Sequence, residues 1–140
     1  MVMLNLPYPP SANRYLRHIG HRTLISREGR TFRRNVCALL AGAGGGSRKP
    51  PAGGRIALFM DAFPPDRRVR DLDNLQKPTL DALQHAGVYE DDSCIDILLT
   101  RRREVVPGGR LDVQVLDLPL CACPLCGAEI SSNPTGKPNE

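Results

Sequence analysis

Four stretches of this 140-residue chain carry apolar residues at every second position, a pattern that favours β-strands. The first is MVMLNL at the N-terminus, and the others are RIALFMDAF (55–63), CIDILLTRR (94–102) and LDVQVLDL (111–118). Because the PGG turn at 107–109 joins the last two, they are predicted to pair antiparallel. Residues 22–25 predict a further short strand.

Two segments have the spacing of helices. Ser26 is a predicted N-cap, and the apolar residues after it form one helical stripe: Phe32, Val36, Leu39 and Leu40. A second helix is predicted to run from about Pro78, which suits a first turn, to about Ala86. The proline-rich residues 7–15 predict a loop. The sum is an α+β fold, a small two-layer domain with two helices packed on a mixed or antiparallel sheet of four to five strands.

Arginine is concentrated in three places, although the formal net charge is only +4. Seven arginines lie between positions 14 and 34, three lie at 67–70 and three at 101–103. Such clusters predict a polyanionic partner, and solvated faces are the alternative. Aromatic residues make up only 4% of the chain, which argues against stacking on single-stranded bases.

Cysteine usage and hydropathy predict a cytoplasmic protein with no membrane segment. The five cysteines are an odd number, and three of them fall within 121–126, which disfavours a secreted disulfide scaffold. No apolar run approaches the roughly 20 residues of a membrane helix. The N-terminal residues lack the basic and apolar regions of a signal peptide. The glycine-rich residues 42–54 are interpreted as a connection inside a domain that contacts substrate.

Carboxylates are grouped in the segment DRRVRDLDNLQK (66–77) and in EDD (90–92). On extended backbone Asp71 and Asp73 would project to the same side, where their mutual repulsion favours a bound divalent cation such as Mg²⁺. Asp91 and Asp92 would point in opposite directions, so one of them is expected to join the site. Lys77 could neutralise charge on a phosphate. On spacing alone, helix caps and turns explain these acids better than a metal site does.

Three longer motifs carry a family resemblance. PYPPSANRYLRH, DRRVRDLDNLQKPTLDAL and AGVYEDD occur in the order and spacing of the RusA family of Holliday junction resolvases, and the similarity extends over residues 1–118. The resemblance implies an endonuclease domain over residues 1–120 and a separate tail over 121–140. It also implies a homodimer that resolves four-way DNA junctions by paired symmetric nicks, in recombination and repair.

The same resemblance implies particular site residues. The catalytic carboxylates and Mg²⁺ or Mn²⁺ ligands fall on Asp71, Asp73 and Asp92, and the active-site lysine on Lys77, with one active site per subunit. DNA contacts are expected from two groups of residues: Asn13, Arg14 and Tyr15, and Arg67, Arg68 and Arg70. The alternatives are a packed loop for the first group and charge balance for nearby aspartates for the second.

The tail has no counterpart in that family pattern. Cys123-Pro-Leu-Cys126-Gly has the spacing of a zinc knuckle, and Cys121 is a candidate third ligand of a structural Zn²⁺. The fourth ligand would come from Cys94, Cys37, a histidine or the other subunit. A degenerate knuckle and a free-thiol tail are the alternatives.

Three other functions compete with a junction resolvase. The first is a catalytically inactive protein that binds branched DNA, and the second is a nuclease without branch selectivity. The third, a zinc-ribbon-like regulator, would need a second half to the cysteine motif.

Overall fold

The computed structural model describes residues 2–42 and 53–130. They form two sheets and three helices, numbered here in chain order: β1 (Val2–Leu6), α1 (Ala12–Tyr15), β2 (Leu16–Ile19), β3 (Arg22–Ile25), α2 (Arg27–Gly42), β4 (Ile56–Phe63), α3 (Asp73–His85), a 3₁₀ turn (Asp92–Cys94), β5 (Ile95–Arg102) and β6 (Arg110–Asp117). The predicted α+β class is confirmed. Most of the glycine-rich connection and the last ten residues of the tail lie outside the described residues.

The main sheet is mixed and has the strand order β1-β6-β4-β5. β4 and β5 are parallel and are joined through α3, whereas β6 pairs antiparallel with both β4 and β1. The prediction that β6 pairs with β5 is therefore wrong. The connection between them crosses the end of β4, where the Arg103 amide donates to the Ala62 carbonyl and the Val106 amide to the Pro64 carbonyl, at 2.8 and 2.9 Å. This order places the most apolar strand, β4, in the interior of the sheet.

A separate hairpin of β2 and β3 precedes α2. The strand over 22–25 was predicted, but its partner Leu16–Ile19 and the single-turn helix α1 were not. Gly20 makes the tight turn of this hairpin with a positive φ of 59°. The polar sequence of β2 gives no alternation that would distinguish it from a loop, which explains the omission.

The core lies between one face of the main sheet and helices α2 and α3. The apolar residues of this layer include Leu4, Phe32, Val36, Leu58, Met60, Leu83 and Val113. Ser26 caps α2 as predicted, since its hydroxyl accepts the Gly29 amide at 3.0 Å. Leu39 is exposed, so the buried stripe of α2 is narrower than predicted. Within the described residues, no helix is long and apolar enough to cross a membrane.

α3 begins at Asp73, five residues earlier than predicted, so Pro78 lies inside the helix and not in its first turn. Pro78 is fully buried, as is Thr79, whose hydroxyl donates to the Leu75 carbonyl at 2.7 Å. The proline was a poor guide to the start because burial against the core outweighs the loss of one helical hydrogen bond. Because α3 begins earlier, Leu72 and Asp73 have helical backbone.

Candidate functional site

Asp71 and Asp73 flank the start of α3 and are both exposed. Leu72 between them is helical, with φ −67° and ψ −33°, so the prediction of extended backbone for this pair is wrong. The Leu72 carbonyl already accepts the Leu75 amide at 3.2 Å. Amides in the first turn of a helix lack internal partners, and the helix dipole favours negative charge there. Both carboxylates are exposed at this helix start and therefore accessible to a cation.

Lys77 lies one turn after Asp73 on the same side of α3. Its side chain is half exposed, and its Nζ is 3.5 Å from Oδ2 of Asp81, one further turn along the helix. The ion pair is partly solvated and therefore weak. Lys77 can thus exchange Asp81 for a phosphate oxygen at small cost.

Asp92 lies towards the opposite end of α3. Tyr89 donates its hydroxyl to the Leu80 carbonyl at 2.8 Å, which holds the segment before Asp92 against the second half of the helix. By contrast, Gln76, near the start of α3, is 3.2 Å from the Thr100 hydroxyl on β5. β5 begins at Ile95, three residues after Asp92, and Thr100 lies five residues further along the strand. At about 3.3 Å per residue, the Asp92 end of β5 is about 16 Å from the level of Gln76.

The structure therefore does not gather the three predicted catalytic carboxylates within one chain. Asp71 and Asp73 are neighbours, but Asp92 is separated from them by the length of α3. In residues 2–42 and 53–130, no group of three or more His, Cys, Asp or Glu side chains is arranged to hold a metal ion.

Asp91 and Asp92 differ in their contacts. The Asp91 carboxylate accepts the Ser93 amide at 2.8 Å and caps the 3₁₀ turn, and this hydrogen bond lowers the pKa of Asp91. Asp92 is the exposed first residue of that turn. Burial, followed by the nearby charge of Asp92, raises the pKa of the Tyr89 hydroxyl. Asp91 therefore caps the turn, and the expectation that Asp92 joins the metal site stays a prediction.

The arginine-rich loop before α3 is built around Asp66. The Asp66 carboxylate accepts the Arg70 guanidinium at 2.5 Å and the Arg68 amide at 2.9 Å. These bonds, with the one from Arg70 first, lower the pKa of Asp66 to about 2. Arg70 also lies over the Tyr8 ring, 5.9 Å from its centre. Arg70 therefore orders the loop, while the side chains of Arg67 and Arg68 are exposed.

A cavity of about 430 Å³ lies between this loop and the N-terminal segment. Arg14, Arg68 and Asp71 line it together with Asn74 and Glu28. Cationic and acidic groups thus share one concave surface next to the start of α3. A phosphate in this cavity would lie between the two arginines and close to the first carboxylate.

The N-terminal motif divides between the surface and the core. Asn13 and Arg14 are exposed, as expected of DNA contacts. Tyr15 is fully buried, and its hydroxyl accepts the Arg33 guanidinium at 2.8 Å. Burial raises the pKa of Tyr15, and the Arg33 bond opposes that rise. The predicted DNA contact by Tyr15 is therefore wrong, because packing under α2 leaves its side chain no surface.

Not every arginine cluster is available to phosphate. Arg101 makes two hydrogen bonds to the Asp61 carboxylate, at 2.6 and 2.7 Å, and Arg103 lies 3.8 Å from the same group. The loop-ordering role of Asp66 and the position of Asn74 in the cavity wall were not predicted. The turn PPD before the arginines and the DLDN motif were the available signals.

The cysteine segment forms a small hairpin. The Cys123 amide donates to the Ala128 carbonyl and the Gly127 amide to the Cys123 carbonyl, both at 2.8 Å, and Gly127 has a φ of 74°. Backbone amides of Cys126 and Leu125 donate to the Cys123 sulfur and lower the pKa of its thiol. All five cysteines are free.

Known proteins resemble this chain over most of its length. The family model described as "Endodeoxyribonuclease RusA" matches residues 7–115. The "Crossover junction endodeoxyribonuclease rusA" of Enterobacteria phage 82 is 39% identical over 117 residues, which are 82% of this chain and 93% of the relative. The RusA proteins of Escherichia coli (strain K12) and Shigella sonnei (strain Ss046) are 38% and 39% identical over the same shares. The chain therefore belongs to the RusA family of endodeoxyribonucleases.

Proposed function

We propose that this protein is a crossover junction endodeoxyribonuclease that cuts four-way DNA junctions by metal-dependent phosphodiester hydrolysis, acting in recombination and repair. The observation that carries the proposal is the placement of Asp71 and Asp73. In a chain of this family, two exposed carboxylates begin a helix beside an arginine-lined cavity.

The residues present fit a divalent metal such as Mg²⁺ or Mn²⁺. Carboxylate oxygens are the ligands these ions prefer, and Asp71, Asp73 and Asp92 are exposed and would hold the ion. When bound, such an ion supplies activation of water and neutralisation of charge on the phosphate.

The cationic side chains of this chain position the DNA. Arg14 and Arg68 on the cavity wall hold backbone phosphates, which gives affinity that falls with salt and does not depend on base sequence. Lys77 on α3 stabilises negative charge as it develops on the reacting phosphate. Arg70 keeps the loop in shape through Asp66.

The separation of the carboxylates supports a site shared between two copies. A 13-residue helix is about 20 Å long, which is too far for one ion to contact both ends. In a two-fold homodimer, Asp92 of each copy would lie beside Asp71 and Asp73 of the other copy and supply the third carboxylate of that site. Two equivalent sites result, which suits the near two-fold symmetry of a four-way junction.

The experiment that tests this function compares an immobile four-way junction with linear duplex of the same sequence, in Mg²⁺ and in EDTA. We expect symmetric nicks confined to the junction that disappear in EDTA. Equal cutting of both substrates would reduce the function to a general nuclease. Tight junction binding without cutting in Mg²⁺ or Mn²⁺ would favour the inactive DNA-binding protein.

A further inference from the structure

The cysteine hairpin lies outside the residues that the RusA family model matches. It is nevertheless folded: besides the bonds around Cys123, the Ile130 amide donates to the Cys121 carbonyl at 2.9 Å, and Ala122 pairs with Glu129. Backbone hydrogen bonds thus fix a turn that carries two cysteines three residues apart.

The turn has the features of a metal-binding knuckle. Cys123 and Cys126 lie three residues apart on a turn that is closed by the hydrogen bond from the Gly127 amide to the Cys123 carbonyl, at 2.8 Å. Cys126 is exposed at the same turn, and Gly127 closes it in a left-handed conformation. Two thiolates on such a turn provide half of a tetrahedral zinc site.

One chain does not supply the other half. Among the described residues no third Cys, His, Asp or Glu joins these two sulfurs, so Cys121 is not placed as a third ligand. Cys37 and Cys94 are half-buried on other elements. The sequences of 43–52 and 131–140 contain neither cysteine nor histidine. The remaining ligands of a closed structural site would therefore come from a second molecule.

The surface around the knuckle suits a second copy. Leu125 and Met3 are 50% and 55% exposed and line one cavity of about 40 Å³ on the sheet face opposite the helices. Ile130, at the end of the hairpin, is 44% exposed. Large apolar side chains next to a half-complete metal site are the surface that a symmetric contact would cover.

We propose that Cys123 and Cys126 of two copies of this chain bind one Zn²⁺ ion in a tetrahedral site of four thiolates. Each sulfur binds after releasing its proton to solvent, so zinc binding lowers the pH of an unbuffered solution. The site joins the two copies through the tail and is separate from the carboxylates. It does not rest on the nuclease assignment.

Metal content and mass test the proposal together. The full chain is purified under reducing conditions with Zn²⁺ present and desalted, and zinc per chain is measured by plasma mass spectrometry. We expect about half a zinc ion per chain, found by native mass spectrometry only in species with an even number of chains. Replacement by Co²⁺ should give the absorption of a tetrahedral four-sulfur site.

Matched variants locate the ligands. Cys123→Ser and Cys126→Ser should each lose the zinc, whereas Cys37→Ser, which changes a half-buried cysteine on α2, should retain it. One zinc ion per monomeric chain would overturn the two-copy site. Retention of zinc by Cys126→Ser, or no zinc in reduced wild-type protein, would overturn the site altogether. Cleavage is not a readout here, so failure of the zinc site and failure of the nuclease assignment are distinguishable.

Discussion

At the scale of single residues, the acidic side chains differ in what they contact. Asp61, Asp66 and Asp91 each accept hydrogen bonds from a neighbouring guanidinium or amide. Asp71 and Asp73 are exposed beside the start of a helix. Carboxylates of the first kind hold loops and strands in place, and those of the second kind can bind an ion.

Replacement of one exposed carboxylate tests the site directly. Asp73→Asn removes a proposed metal ligand and one exposed negative charge, so we expect junction cleavage to fall by at least about 100-fold while junction binding is unchanged or tighter. Cleavage is measured on a labelled four-way junction and binding by gel shift in Ca²⁺. Glu129→Gln, which removes an exposed charge on the tail hairpin, should cut normally. Wild-type cutting by Asp73→Asn would remove this residue from the site.

Acid stability depends on Asp66. Because Arg70 and the Arg68 amide lower its folded-state pKa to about 2, this carboxylate stabilises the fold above its unfolded pKa of 3.8. That contribution is lost as the pH falls through about 2. The difference in unfolding free energy between wild type and Asp66→Asn should therefore be constant above about pH 4 and shrink below it. Urea unfolding at several pH values measures the difference, and the same value at pH 3 and pH 7 would contradict the assignment.

At the scale of elements, the β4–α3–β5 unit decides where the carboxylates lie. A parallel pair of strands requires a crossover, and α3 provides it by running back along the sheet. The segment before α3 and the segment after it are consequently at opposite ends of the unit. This connection explains why Asp71 and Asp73, before and at the start of α3, do not meet Asp92 of the same chain.

The helix α2 offers a test of packing. A methyl group on Gly29 would lie 2.8 Å from Cγ2 of Ile25 and from the Tyr15 carbonyl oxygen, whereas Gly42 at the end of α2 has open space. Gly29→Ala should therefore destabilise the protein by about 1–3 kcal/mol despite the helix preference of alanine. Gly42→Ala, the matched control, should leave the stability equal or slightly higher. Equal urea midpoints for the two variants would show that the contact relaxes freely.

Much of the fold could be predicted from local patterns. The alternation in β4, β5 and β6, the cap at Ser26 and the first strand all follow from residue spacing and burial. The neighbour of β6 could not be predicted, because strand order depends on which strand gains most from burial on both faces. The start of α3 was misplaced because Pro78 is normally a first-turn residue, and burial overrode that preference.

The roles of the candidate site residues stay a prediction, and only part of their geometry could be predicted from the sequence. Asp71, Asp73 and Lys77 lie at or beside the start of α3, whereas the sequence predicted a helix that begins only at Pro78. The position of Asp92 relative to Asp71 and Asp73 depends on the length and direction of α3. A helix beginning at Pro78 would be shorter and would predict a smaller separation. The burial of Tyr15 depends on α2 packing over it, which no local spacing indicates.

At the scale of the whole molecule, the proposed dimer makes each active site a property of two chains. A mixture of two inactive variants tests this arrangement. In a heterodimer of Asp73→Asn with Asp92→Asn, one site carries both substitutions and the other carries neither. Unfolding and refolding the two together should therefore restore cleavage, with one nick per junction instead of two.

A cruciform plasmid distinguishes these products, because one nick gives an open circle and paired nicks give a linear molecule. We expect open circles from the mixture and linear molecules from wild type. Each variant refolded alone is the control and should give neither product. A mixture that stays inactive while native mass spectrometry detects the heterodimer would place all three carboxylates of a site within one chain.

The length of α3 also affects how DNA cleavage would depend on the concentration of the protein in a cell. Under the proposed two-chain site, a lone chain has its acidic groups divided between two ends of a 13-residue helix, so we expect that it does not cleave DNA on its own. Below the dissociation constant of the dimer, cleavage should rise with the square of the amount of protein. The few molecules present after basal synthesis would then leave the chromosome intact, and cutting would begin only after a burst of expression.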